Sequence, residues 1–149
     1  MLSKRDIHLS VQQNLNDRLE QLNAALNDAL DATANETKST AGDKHETGRA
    51  MAQLEQEKLG SQISEVHKLK EMIARIAPDT SCNTVCSGSL VVTSNGTFYI
   101  SVGIGAIMIN GNSVFCMTPV APLCNAMMGM KAGESVNWQG KEVRIISVS

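Results

Sequence analysis

Apolar side chains recur at steps of four and three early in the chain, at Leu15, Leu19, Leu22, Leu26 and Ala29. This is the seam spacing of a helix that packs along another helix. A second stripe follows at Leu54, Leu59, Ile63, Val66, Ile73 and Ile76. Gly60 sits inside it and costs about 1 kcal/mol relative to alanine. Between the stripes, Thr37-Lys38-Ser39-Thr40-Ala41-Gly42 has no apolar period and reads as a turn. Two amphipathic helices joined by a short turn bury their stripes by folding back on each other. The pattern therefore predicts an antiparallel coiled-coil hairpin. A helix of roughly 30 residues spans about 45 Å at a rise of about 1.5 Å per residue, so the tip of such a hairpin can enter a deep, narrow cavity.

The period then changes. Leu90-Val91-Val92-Thr93 and Phe98-Tyr99-Ile100-Ser101-Val102 flank Asn95-Gly96, a strong hairpin signal. Ala106 to Ile109 and Ser113 to Met117 flank Asn110-Gly111-Asn112 in the same way. Pro122 suits the first position of a short helix that Gly129 would end. Ser135 to Trp138 and Val143 to Val148 bracket Gln139-Gly140 as a last strand pair. Four strands, one short helix and two strands predict an antiparallel sheet with a helix against one face. The class is α+β.

Charge sharpens the division. Residues 1–77 carry 22 of the 28 charged side chains and three of the 11 glycines, whereas residues 78–149 carry six charges and eight glycines. A boundary is expected near Pro78, giving a hairpin domain over 1–77, a linker over 78–87 and a β-rich domain over 88–149. A net charge of −2 gives the whole chain no attraction for nucleic acid. Met1 to Ser10 has no apolar run after its basic residues, so no secretory signal is expected. The apolar stretch from Ile104 to Ile109 is far too short to span a bilayer. A cytoplasmic protein with four reduced thiols is the expectation.

Candidate chemistry concentrates at the predicted hairpin tip, Gly42-Asp43-Lys44-His45-Glu46. Asp43 and Glu46 lie three residues apart, near one face of a helix's first turn. The same spacing is a capping box, in which both side chains satisfy early backbone N–H groups, and the helix dipole favours acids there in any case. The two uses are compatible. Two carboxylates alone make a weak Mg²⁺ site, because that ion keeps several waters and shares ligands with phosphate. They are better suited as half of a site that another protein completes.

The tip GDKHET resembles the GDxxEN tip of the GreA/GreB family of transcription elongation factors, with Asp43 and Glu46 on that family's two acidic positions. The stretch Ala121 to Val136, APLCNAMMGMKAGESV, is similar to the family's SPxxxALxGKxxGDxV signature. It matches at Pro122, Ala126, Gly129 and Gly133, with Glu134 at the acid and Lys131 one position past the signature's lysine, where Met130 stands. GSLVVT, from Gly88, resembles the opening of the family's C-terminal domain. The likeness runs along nearly the whole chain in the right order. It implies an FKBP-like C-terminal domain that docks on RNA polymerase at the rim of the secondary channel, through Pro122, Gly129, Lys131 and Gly133. It implies that the coiled coil enters the channel, and that Asp43 and Glu46 share the polymerase's second Mg²⁺ and orient water. Backtracked RNA is then cut at the nascent 3′ end by the polymerase, so the factor stimulates a nuclease without being an enzyme or owning a cofactor. The sequence departs from the family at Thr47, where an Asn is usual, at Gly48-Arg49-Ala50, which replace a more acidic stretch containing a tyrosine, and at Ala121, where a Ser is usual.

Other constellations are weaker. Cys82 and Cys86, with Cys116 and Cys124, have a spacing compatible with zinc, but no second tight pair, so ordinary thiols are the default. His45 and His67 read as solvated helix residues, and all three histidines fall in the hairpin half, away from the cysteines. Met127, Met128 and Met130 read as core filling, with Met130 an alternative contributor to a docking surface. Gly103-Ile104-Gly105 lacks the strand–loop–helix context of a dinucleotide site and reads as a bulge or turn. Four aromatic residues are too few for an aromatic-lined proline pocket, which weakens a prolyl isomerase reading.

Overall fold

The computed structural model describes residues 2–36 and 42–149, and within them the side chains of all but 33, 35, 36 and 42–46. The elements are α1 (Lys4–Glu36), α2 (Gly42–Ala74), β1 (Leu90–Thr93), β2 (Gly96–Ile100), β3 (Gly105–Ile109), β4 (Asn112–Met117), α3 (Pro122–Met127), β5 (Ser135–Trp138) and β6 (Lys141–Val148). This is an α+β chain: two long helices, then a six-stranded sheet with one short helix. Among the described residues no helix is long and apolar enough to cross a membrane. The chain divides into two compact units, Gln13–Lys70 and a second made of Met1–Gln12 with Glu71–Ser149. Composition shifts near Pro78, whereas packing groups the first turns of α1 and the last turn of α2 with the sheet.

In the first unit α1 and α2 run antiparallel. Arg18, Gln21 and Leu22 line a groove together with Gln62, Glu65, Val66 and Leu69, and the Gln56 Nε2 donates to the Ala29 carbonyl at 3.4 Å. Leu15, Leu59 and Val66 are buried. Leu54, expected on the stripe, is instead 65% exposed. The reason is helical geometry. The buried line runs back from Leu59 in steps of three and four through Gln56 and Ala52, both half-buried, and a residue five positions before Leu59 points elsewhere.

In the second unit the strand order is β3-β4-β2-β1-β6-β5. Four of the five pairings are antiparallel, but β2 and β4 run parallel, with Phe98 beside Phe115 and Tyr99 beside Cys116. The sheet is therefore mixed, where an all-antiparallel sheet was expected. The chain leaves β2 at Ile100, whose partner is Met117 at the end of β4, and enters β3 at Gly105, whose partner is Cys116. Residues 101–104 thus step across the end of β4, and β4 returns beside β2 in the same direction. Gly103 makes this crossing close: a Cβ there would lie 3.2 Å from the Thr118 Cγ2. The glycine pair expected as a bulge or turn is this crossover.

The two later hairpin turns follow their sequence signals. Asn110-Gly111 and Gln139-Gly140 both take left-handed backbone, and Ile109 pairs with Asn112 and Trp138 with Lys141. These are the two-residue turns whose twist matches that of the flanking strands. In the first hairpin Gly96 joins β2, and the Thr93 hydroxyl closes the turn by accepting from the Asn95 N–H and donating to the Gly96 carbonyl.

The sheet is covered on both faces. On one, Val91, Phe98, Ile100, Val143 and Ile145 pack with Leu123, Cys124 and Met127 of α3. On the other, Tyr99 meets His8 of α1. Phe98, Tyr99 and Ile100 are consecutive and all buried, as expected for a central strand covered on both sides. Val85 lies in the α3-side core. The stretch 78–87, expected from composition as a linker, is therefore anchored at that residue.

Candidate functional site

The acidic motif opens α2, which begins at Gly42, so Asp43 and Glu46 fall in its first turn. Their side chains, with those of Lys44 and His45, lie outside the described residues, and so does Lys38 altogether. Whether the two acids cap the helix or face outward concerns those side chains. Just beyond them Thr47 and Arg49 are exposed.

The C-terminal signature resolves into backbone roles. Pro122 occupies the start of α3, where its missing N–H is no loss. Ala121 precedes it with extended backbone and no side-chain cap; a Ser there would supply a cap worth about 1 kcal/mol. The chain leaves α3 through Gly129, at φ +80°, whose N–H donates to the Val85 carbonyl at 2.8 Å, and Val85 N–H donates to the Met130 carbonyl at 2.8 Å. Gly133, at φ +93°, donates to the Ile145 carbonyl at 2.7 Å. A Cβ at either glycine would meet nothing within 4 Å, so positive φ, and not lack of space, calls for glycine. Lys131 and Glu134 are exposed between and beyond these turns. Of the four expected docking positions, Lys131 is the one with a charged side chain to offer. Met127 is fully buried, Met130 is half-buried against the same core, and Met128 is 37% exposed.

The sequence reading missed a polar pair at the start of α1. His8 is 4% exposed, and its Nδ1 lies 2.7 Å from the Tyr99 hydroxyl, which is fully buried. Burial lowers the His8 pKa from its ordinary value, and nearby Asp79 offsets part of that shift. Burial raises the Tyr99 pKa, with smaller contributions from Cys116 and Cys82. A neutral imidazole and a protonated phenol fit one hydrogen bond between them. The signal was present: His8 stands three and seven residues before Val11 and Leu15, on the face that those apolar positions bury.

The cysteines do not assemble. Cys116 shares the Tyr99 face of the sheet, Cys124 lies in the core on the other face, and Cys82 and Cys86 sit together before β1. Burial pushes the Cys116 thiol up to about 12 and the Cys124 thiol to about 11. Among the described residues no group of three or more His, Cys, Asp or Glu could hold a metal ion. His67 is exposed on α2.

The architecture thus defines a class, an antiparallel helical pair followed by a mixed sheet with one short helix. No family model and no curated protein matches the chain. Among solved structures it is similar to that of the transcription factor Gfh1, at 16% identity over 92% of each chain with a TM-score of 0.37. A superposition that loose transfers neither a residue role nor an activity.

Proposed function

We propose that this protein is a transcription factor that binds RNA polymerase at its secondary channel and stimulates cleavage of backtracked RNA. The observation that carries the reading is the joint placement of two motifs. GDKHET opens α2 of an antiparallel helix pair, and the Pro122-to-Gly133 signature forms α3 and the two turns after it. Each helix has 33 residues, or about 50 Å at the α-helical rise, a length suited to a deep channel. In the proposed mechanism Asp43 and Glu46 offer carboxylate oxygens within the polymerase's active site and hold water in line for attack. The polymerase's second Mg²⁺, when bound there, supplies charge stabilisation and lowers the pKa of water. Exposed Lys131, held between two left-handed glycine turns, is the proposed polar contact at the docking surface.

The test uses stalled, backtracked complexes with the cognate polymerase. Wild type should shorten the RNA at its 3′ end, and Asp43→Asn or Glu46→Gln should slow this on the order of 100-fold, as for loss of one preorganised electrostatic group. Binding without accelerated cleavage by wild type removes the cleavage role. A second reading, occlusion of the channel without cleavage, is favoured by Thr47-Gly48-Arg49-Ala50, which lack the acidity the family carries after its tip. It predicts slowed nucleotide addition that survives Asp43→Asn. Absence of polymerase subunits in a pull-down would instead favour a coiled-coil adaptor.

A further inference from the structure

Two half-buried thiols stand together in the segment between α2 and β1. The sulfurs of Cys82 and Cys86 are 3.3 Å apart, with the Cys86 thiol donating to Cys82 Sγ, and Lys4 Nζ is 3.9 Å from Cys82 Sγ. Reaching the roughly 2.05 Å of a disulfide takes a movement of little more than about 1 Å. The residues between them, 83–85, form a bend, so the spacing is not held apart by helical backbone. Cys82 also lines an open cavity of about 180 Å³ with Arg75, Thr80 and Gly88, which gives a small reagent a path to it. The remaining thiols offer no competition: Cys116 is 1% exposed and Cys124 fully buried.

We propose that Cys82 and Cys86 are a redox-modifiable dithiol that closes to an intramolecular disulfide on reaction with an anionic low-molecular-weight disulfide. Lys4 beside Cys82 and Arg75 in the adjoining cavity supply the positive charge that draws such a reagent in. The Cys82 sulfur, as thiolate, attacks one sulfur of the reagent, forms a mixed disulfide and releases one reagent thiol. Cys86 then loses its proton to solvent and attacks Cys82 Sγ, expelling the second reagent thiol. Two protein thiols are oxidised by two electrons and one reagent disulfide is reduced to two thiols, so the exchange balances. Burial and the hydrogen bond to Cys82 raise the Cys86 pKa, consistent with Cys86 acting second. Closure would brace the bend around Val85, whose backbone holds the Gly129 turn. This inference stands on the thiol geometry and does not depend on the proposed polymerase role.

The test incubates folded full-length protein with oxidised glutathione and reads intact mass and free thiols. Wild type should lose two hydrogens, retain no adduct and show two thiols to alkylation after unfolding instead of four. Cys86→Ser should stop at a glutathione adduct on Cys82, and Lys4→Met should slow the reaction several-fold. Four remaining thiols in wild type, a link that includes Cys116 or Cys124, or no adduct on Cys86→Ser would overturn the proposal. If Cys86→Ser fails to match the wild-type circular dichroism, the wild-type thiol count and the peptide map of the link decide alone.

Discussion

The helical unit of Gln13–Lys70 and the sheet unit bury their apolar residues in different ways. Each helix of the pair has one stripe to cover, and much of it is only half covered: Leu19, Leu22, Leu26, Ala29, Ala52, Gln56 and Ile63 are all intermediate in exposure. Leu30 and Leu54 face solvent. In the sheet unit, β2 is enclosed from both sides, and Val91, Tyr99, Ile100, Cys124, Met127 and Ile145 are fully buried. The difference teaches where stability resides. A two-helix layer supplies length from local backbone bonds with modest burial, while the two-sided sheet concentrates apolar area in few residues.

The largest expected effect separates the two directly. Ile100→Ala should destabilise by about 2–5 kcal/mol, the range for emptying a tightly packed core site. Leu22→Ala, half-covered, should cost nearer about 1 kcal/mol by lost transfer energy. Denaturant titration of both variants measures the contrast, and equal losses would break it.

Next comes the buried polar pair. Tyr99→Phe removes the hydroxyl and leaves the His8 Nδ1 without that partner, at a cost of about 1–3 kcal/mol. Glycines in the two units should respond with opposite signs. Gly129→Ala forces a Cβ onto left-handed backbone and should cost about 1–2 kcal/mol. Gly60→Ala, in an exposed helical position with open space around it, should stabilise by up to about 1 kcal/mol. Thermal melts of the two variants sharpen the comparison, and a destabilised Gly60→Ala would contradict it.

The last effect is one of pH. The His8 pKa is lowered in the folded state, so the unfolded chain takes up its proton first as pH falls. Stability from this group is full above the ordinary histidine value near 6.5 and is lost as pH drops through it towards the folded value. The loss is at most about 1.4 kcal/mol per pH unit. Melts between neutral and mildly acidic pH should show this slope in wild type and a shallower one in His8→Gln.

Much of the local structure was legible in the chain. The stripe from Leu15 to Ala29 placed the α1 face, and Asn110-Gly111 and Gln139-Gly140 marked their turns, because periodicity and turn chemistry act over a few residues. Leu54 misled because hydrophobicity was read without its helical phase. At the candidate sites the motifs located the first turn of α2 and the α3 region. The purely conformational duties of Gly129 and Gly133 became visible only with their dihedral angles.

What the sequence alone determined is the set of elements: two long helices, three strand pairs and a short helix begun by proline. Tertiary structure decided which of them meet. The parallel seating of β4 beside β2, the anchoring of Val85, the His8–Tyr99 bond and the approach of Cys82 to Cys86 beside Lys4 are none of them written in periodicity. Tyr99 lies 91 positions from His8, and Lys4 lies 78 from Cys82. Contacts at such separations are selected by the joint burial of whole faces, which no local window of sequence contains.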